Sequence, residues 1–134
     1  MGFLRNMLSS AATLTRPARV GDGLLAHVAP QAISADANAT LTVAQVAAGF
    51  IQFTGFTAGR NITTPTAAAL IAAFPDMDIG DTYSLLVSVT PAFAGTYVAG
   101  TGVTLAGRAT TPASSWSWVV ITKLSSTTVE WRVS

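Results

Sequence analysis

The chain has 134 residues, of which half are hydrophobic, a tenth are charged and none is cysteine. Its seven basic and six acidic residues nearly cancel, so it lacks the concentrated positive charge of a nucleic-acid-binding protein, and we predict no nucleic-acid partner. The lack of cysteine excludes disulfides, thiolate zinc sites and thiol nucleophiles. A chain of this length is expected to form one domain.

The low charge content predicts a subunit of a larger assembly. Soluble proteins carry about 25% charged residues, whereas this chain has 10%, so a lone monomer would expose much neutral surface. Large exposed apolar patches usually mark interfaces. Membrane insertion is a competing explanation, but the longest apolar run, Ala67–Phe74, is far shorter than the ~20 residues of a spanning helix. We therefore predict no membrane partner.

Residues 1–28 differ in charge from the rest and are predicted to form an N-terminal arm. Three arginines and one aspartate give this segment a net charge of +2, and four large apolar residues between positions 3 and 8 have roughly helical spacing. We expect a neighbouring subunit to order the arm; an arm folded back on its own domain and a targeting peptide are the alternatives. The predicted contact residues of the arm are Phe3, Leu4, Arg5, Met7, Leu8, Arg16 and Arg19.

Residues 29–40 are predicted to be a linker, and residues 41–134 a β domain. The domain opens with a short helix over Val43–Ala48, because Thr42 is a good N-cap and Gly49 suits the position after the last turn.

A second helix follows two short extended segments, Phe50–Thr54 and Asn61–Thr63. Thr64 is predicted to be its N-cap, with Pro65 in the first turn, where a missing N–H costs nothing. Pro75 is expected to end this helix.

Strands dominate the rest of the chain. Each is short and bounded by glycine, proline or serine, which is typical of a sandwich or barrel. No strand–helix–strand repeat is evident, so a parallel sheet is not expected, and the last two strands should form a hairpin. We predict a mainly β fold, a compact antiparallel β-sandwich or barrel with one or two short helices and an extended N-terminal arm. The predicted strands are Tyr83–Val89, Thr96–Ala99, Val103–Ala106, Trp116–Lys123 and Thr128–Val133.

The sequence offers little catalytic chemistry, and we predict a protein without enzymatic activity, cofactor or metal. Asp76, Asp78 and Asp81 form the one acidic cluster, which is interpreted as a solvated turn in which Asp81 bonds backbone amides rather than as a calcium site. His27, the single histidine, is interpreted as a surface or interface residue. The segment Gly100–Gly102 is predicted to be a tight turn between strands, because the residues that complete a phosphate-binding loop are missing.

Trp116 and Trp118 are the strongest candidates for an interaction surface in the β domain. They are two residues apart on a predicted strand and therefore face the same side, together with Val120. The other side, with Ser117, Val119 and Ile121, is also largely apolar, so we expect one side to pack in the core and the other against a neighbour. Stacking on sugar rings is the alternative role for the tryptophans.

The ordered phrases LTVAQVAAGFIQFTG, TTPTAAALIAAFP, IGDTYSLLVSV and AGTGVTLAG resemble a recurrent small β domain of structural proteins in tailed phages and some large DNA viruses. The resemblance covers residues 41–134. Val89-Thr90-Pro91 departs from it, because the group usually has an asparagine-rich strand there. The matching motifs are Thr42–Ile51, Thr64–Pro75, Gly80–Tyr83 and Ala99–Leu105.

The resemblance implies a non-enzymatic virion component, often trimeric. We accordingly expect a capsid decoration, or cement, protein on the capsid surface, which forms a homotrimer and clamps the major capsid protein through its β domain and N-terminal arm. One alternative is a tail-fibre or head-spike domain that binds host surface glycans. Another is a small metal-dependent hydrolase that uses the aspartates of the acidic cluster.

Overall fold

Residues 29–134 are described by a computed structural model, and the predicted arm, with all seven of its predicted contact residues and His27, lies outside the described residues. Two short helices, α1 (Val43–Ala47) and α2 (Ala67–Ala73), accompany the strands. None of the described helices is long and apolar enough to cross a membrane. The strands in the described part are β1 (Gln31–Ile33), β2 (Ala39–Thr40), β3 (Phe50–Phe53), β4 (Arg60–Thr63), β5 (Thr82–Val89), β6 (Gly95–Val98), β7 (Val103–Gly107), β8 (Thr110–Thr111), β9 (Ser115–Lys123) and β10 (Val129–Val133).

The strands form two sheets, which confirms the predicted mainly β fold. Six strands lie in the order β1-β3-β5-β9-β10-β7, and four lie in the order β2-β4-β6-β8. The predicted C-terminal hairpin is confirmed by antiparallel pairing of β9 with β10. The predicted linker, residues 29–40, instead supplies an edge strand to each sheet, since β1 pairs with β3 and β2 with β4.

The predicted antiparallel arrangement is wrong for most of the structure, because both sheets are mixed. Five of the eight strand pairs in residues 29–134 are parallel. The reason is the path of the chain: from β1 to β9, consecutive strands lie alternately in the six-stranded and the four-stranded sheet. From β1 to β6 the chain therefore winds as a flattened coil, and strands one revolution apart run in the same direction. Both helices lie on crossings from the four-stranded to the six-stranded sheet.

The caps explain where the two helices begin. Thr42 is the N-cap of α1, as predicted, and it forms a reciprocal capping box with Gln45. Gly49 follows the end of α1 with a φ of +86°, which confirms its predicted role. The predicted N-cap of α2 is wrong: Thr66, not Thr64, accepts the bond from the Ala69 N–H.

Thr64 is instead a buried link to the turn after β6. Its hydroxyl donates to the Pro65 carbonyl at 3.0 Å and accepts from the Gly100 N–H at 2.9 Å. These hydrogen bonds hold the Thr64 hydroxyl in the interior, so it is not available to cap the helix. Thr66 caps α2 instead.

The core lies between the two sheets. Inward side chains of β3, β5, β9 and β10 are fully buried, and Trp131 on β10 is the largest of them. The ring of Trp131 lies 6.2 Å, between centroids, from that of Tyr97 on β6, so this contact connects the two sheets. Burial raises the pKa of Tyr97 to about 12, and its neutral hydroxyl shares a 2.7 Å hydrogen bond with Thr111 on β8.

Removing either of two buried hydroxyls, those of Ser117 and Thr64, should change the free energy of unfolding in different ways. Ser117 lies in the core, and its hydroxyl has no hydrogen-bond partner in the described part of the chain, so Ser117→Ala is expected to leave the free energy of unfolding unchanged or raise it by up to about 1 kcal/mol. Thr64→Val should lower it by about 1–3 kcal/mol, because the Gly100 N–H would lose its partner. Urea unfolding of both variants measures the difference, and equal losses would contradict this account.

Candidate functional site

Strand β9 divides its side chains between the core and an exposed side. Ser117, Val119 and Ile121 face inward and are no more than 1% exposed, so one side of the strand packs in the core, as expected. Trp116 and Trp118 face outward and are 57% and 48% exposed. The side expected to meet a neighbour is therefore uncovered in the isolated chain.

The register extends this side into a broad surface. Trp118 lies opposite Leu86 of β5, which in turn lies opposite Phe50 of β3. In the next row, Trp116 lies opposite Ser88, followed by Gln52 on β3. We call this surface the outer face; its residues are Phe50, Gln52, Ser84, Leu86, Ser88, Trp116, Trp118, Val120, Thr122, Thr104, Ala106, Glu130 and Arg132.

The outer face carries little charge. Its charged members are Glu130 and Arg132 on β10, and these pair with each other at 2.9 Å. The outward side chains of β3, β5 and β9 are hydroxyl, amide or apolar groups. Such a surface suits contact with a neutral partner, because covering it desolvates few charges.

The geometry of the tryptophan pair bears on what it can bind. The two rings are 6.5 Å apart between centroids, with planes at 83° to each other. A T-shaped pair is a favourable packing arrangement, but it does not present two coplanar ring faces. The pair therefore lacks a flat platform on which consecutive sugars could stack.

The acidic turn forms its own hydrogen bonds, as predicted. The Asp78 N–H donates to Oδ2 of Asp81 at 2.9 Å, and the Asp81 N–H donates to the Asp78 carbonyl at 3.0 Å. Among residues 29–134, no group of three or more histidine, cysteine, aspartate or glutamate side chains is arranged to hold a metal ion.

The predicted tight turn at Gly100–Gly102 is also confirmed, since the Val103 N–H donates to the Gly100 carbonyl at 3.0 Å. However, β6 and β7, which flank it, belong to different sheets. The turn therefore carries the chain between the layers and does not form a hairpin.

A polar cluster around Asp36 was not identified from the sequence, because its segment was interpreted as a linker. The Asp36 carboxylate accepts hydrogen bonds from the Thr57 N–H at 3.0 Å and from Nη2 of Arg60 at 2.8 Å. It also accepts from the Thr57 hydroxyl and from Nε of Arg60. The bonds with Thr57, and then those with Arg60, lower the pKa of Asp36 to about 2. The cluster attaches the segment between β1 and β2 to the loop between β3 and β4 and to the first residue of β4.

This cluster predicts a loss of stability in acid. Because the pKa of Asp36 is lower in the folded chain than its usual 3.8, its ionised form stabilises the fold above about pH 4, and this contribution disappears as the pH falls towards about 2. Asp36→Asn should lower the urea midpoint at neutral pH and reduce the fall in midpoint between those two pH values. Asp76→Asn, in an exposed turn, is the matched control, and equal effects of the two substitutions would contradict the assignment.

No known family model, curated protein or solved structure matches the chain. What the geometry defines is thus a class: a small, mainly β domain of two mixed sheets with one neutral, tryptophan-bearing face.

Proposed function

We propose that the chain is a structural subunit of a virion, a decoration or cement protein that assembles on the capsid surface. The observation that carries the proposal is the outer face, where Trp116 and Trp118 are about half exposed on a nearly uncharged sheet surface. Tryptophan is enriched at protein interfaces and is often the residue on which their affinity depends. The resemblance of residues 41–134 to virion structural domains supports the same class of protein.

In the proposed function, the β domain forms an oligomer, a homotrimer according to the resemblance, and the basic arm reaches the major capsid protein. The charge pattern supports separate binding roles for the arm and the β domain, because residues 1–28 carry a net charge of +2 whereas residues 29–134 carry −1. A basic segment suits acidic or polar shell surfaces, and the neutral outer face suits an apolar contact.

The test is co-sedimentation of the purified chain with empty capsids of the virus that encodes it. The full chain is expected to bind at a fixed ratio of chains to capsid subunits. Deleting residues 1–28 should abolish this binding while the remaining domain stays folded and oligomeric, as judged by circular dichroism and light scattering. Retained binding would show that the arm is not the clamp.

A glycan-binding tail-fibre or spike domain is the competing outcome of this test. The exposure of Trp116 and Trp118 favours it, and the 83° angle between the rings opposes it. Saturable binding to a glycan array, lost on Trp118→Ala, together with no binding to capsids, would replace the proposal with that function.

A further inference from the structure

We infer that the outer face is covered by the same face of a second copy of this chain, related by a two-fold axis. This inference rests on the proposed function in taking the outer face as an assembly surface, and it identifies the partner.

The face carries bulky and small side chains on neighbouring strands. Trp116 and Trp118 are 57% and 48% exposed along β9, and we call this pair the ridge. The neighbouring strand β5 presents the small side chains of Ser84 and Ser88 on the same side, on either side of the partly buried Leu86, and we call this row the furrow. A two-fold rotation can place the ridge of one copy in the furrow of the other, and by symmetry the reverse contact forms at the same time.

The hydrogen-bonding groups match in the same way. An indole N–H usually finds an acceptor when the ring is buried, so covering Trp116 and Trp118 requires acceptors on the partner. The furrow supplies hydroxyl oxygens at Ser84 and Ser88, and Gln52 adds an amide oxygen beside it. Donors and acceptors therefore lie on one face, as an isologous contact requires.

The charges do not oppose the contact. Glu130 and Arg132 neutralise each other, so two copies can approach without repulsion between like charges. A partner with a strongly charged surface would find no complementary charge on β3, β5 or β9.

The face is large enough for a specific contact. The five strands that carry the outer face, at a spacing of about 4.8 Å, span roughly 24 Å, and the run from Trp116 to Thr122 covers about 20 Å. Packing over this area would remove about 500 Å² from each copy, or about 1,000 Å² in total, which is the smallest size expected of a specific interface. Association should therefore be measurable and dependent on concentration.

The experiment is sedimentation velocity of the full chain over a range of concentrations. We expect a dimer that dissociates on dilution, or an even number of chains if another surface also closes a trimer. Trp118→Glu on the ridge and Ser88→Lys in the furrow should each raise the dissociation constant of the two-fold contact by about 30-fold or more. Leu124→Glu is the matched control, because Leu124 is 45% exposed but lies in the turn between β9 and β10; it should leave the constant unchanged.

The inference is overturned if the full chain sediments as a monomer or as an odd number of chains at all concentrations. It is also overturned if neither the ridge nor the furrow variant changes the number of associated chains while circular dichroism shows both variants to be folded. The same variants are then mixed with capsids. Loss of capsid binding without a change in the mass of the free chain would assign the outer face to the shell, which refutes the two-fold contact and retains the proposed function. If the chain forms the two-fold contact but does not bind capsids, the inference is retained and the proposed function is refuted.

Discussion

Replacing Trp131 by alanine is expected to lower the free energy of unfolding by about 3–5 kcal/mol. The side chain is completely buried, and its contact with Tyr97 connects the six-stranded to the four-stranded sheet. Its indole N–H has no hydrogen-bond partner in the described part of the chain. The loss should therefore come from packing and from the cavity left between the sheets, not from a broken hydrogen bond.

Trp116→Ala is the matched control for this prediction, because it removes the same side chain from a position that is 57% exposed. Its effect should stay below about 1 kcal/mol in urea unfolding at concentrations low enough to keep the chain monomeric. A change of similar size in both variants would contradict the assignment of Trp131 as the central core residue.

Gly107→Ala is expected to cost about 2–5 kcal/mol, the second large effect. Gly107 ends β7 with a φ of +77°, and an added Cβ would lie 2.1 Å from the backbone carbonyl oxygen of Val133. That oxygen already accepts the Arg108 N–H at 2.8 Å. The substitution should thus combine an unfavourable backbone conformation with a steric overlap at the pairing of β7 with β10.

The Gly80→Ala variant measures the cost of the backbone conformation without the steric overlap. Gly80 has a φ of +97°, but no atom lies within 4 Å of an added Cβ. Only the conformational cost of about 1–2 kcal/mol should remain. Thermal or urea denaturation of both variants gives the comparison, and a Gly80→Ala loss as large as that of Gly107→Ala would refute the steric argument.

The sequence predicted the local elements of the fold better than their partners. The cap at Thr42 was predictable because a capping box is complete within four residues. The start of α2 was not, because Thr64 and Thr66 are both good caps, and the distant Gly100 N–H decides between them. Strand direction was missed because a turn looks the same in sequence whether the chain returns to the same sheet or crosses to the other.

The outer face illustrates a second limit of sequence reasoning. The alternation of β9 correctly grouped Trp116 with Trp118, and Ser117 with Val119. Hydrophobicity alone would turn the tryptophans inward, yet the polar Ser117 is buried and the tryptophans are exposed. The registers of β5 and β10 determine which side of β9 faces inward, because they place the buried Val87 opposite Ser117 and the buried Val133 opposite Val119. The Asp36 cluster was missed for a related reason, since its partners lie 21 and 24 residues away.

The coiled path of the chain has a mechanical consequence if the N-terminal arm binds the capsid as proposed. Tension applied at Ala29 would reach the first revolution before any other, and β1 and β2 contribute only three and two paired residues there. The Asp36 cluster and the hydrogen bond from the Asn61 N–H to Oδ1 of Asn38 also hold this revolution to the next. In that case the first revolution should unfold and lengthen under load while β5, β9 and β10 stay folded, so that residues 29–40 would form a short elastic tether in front of a rigid domain.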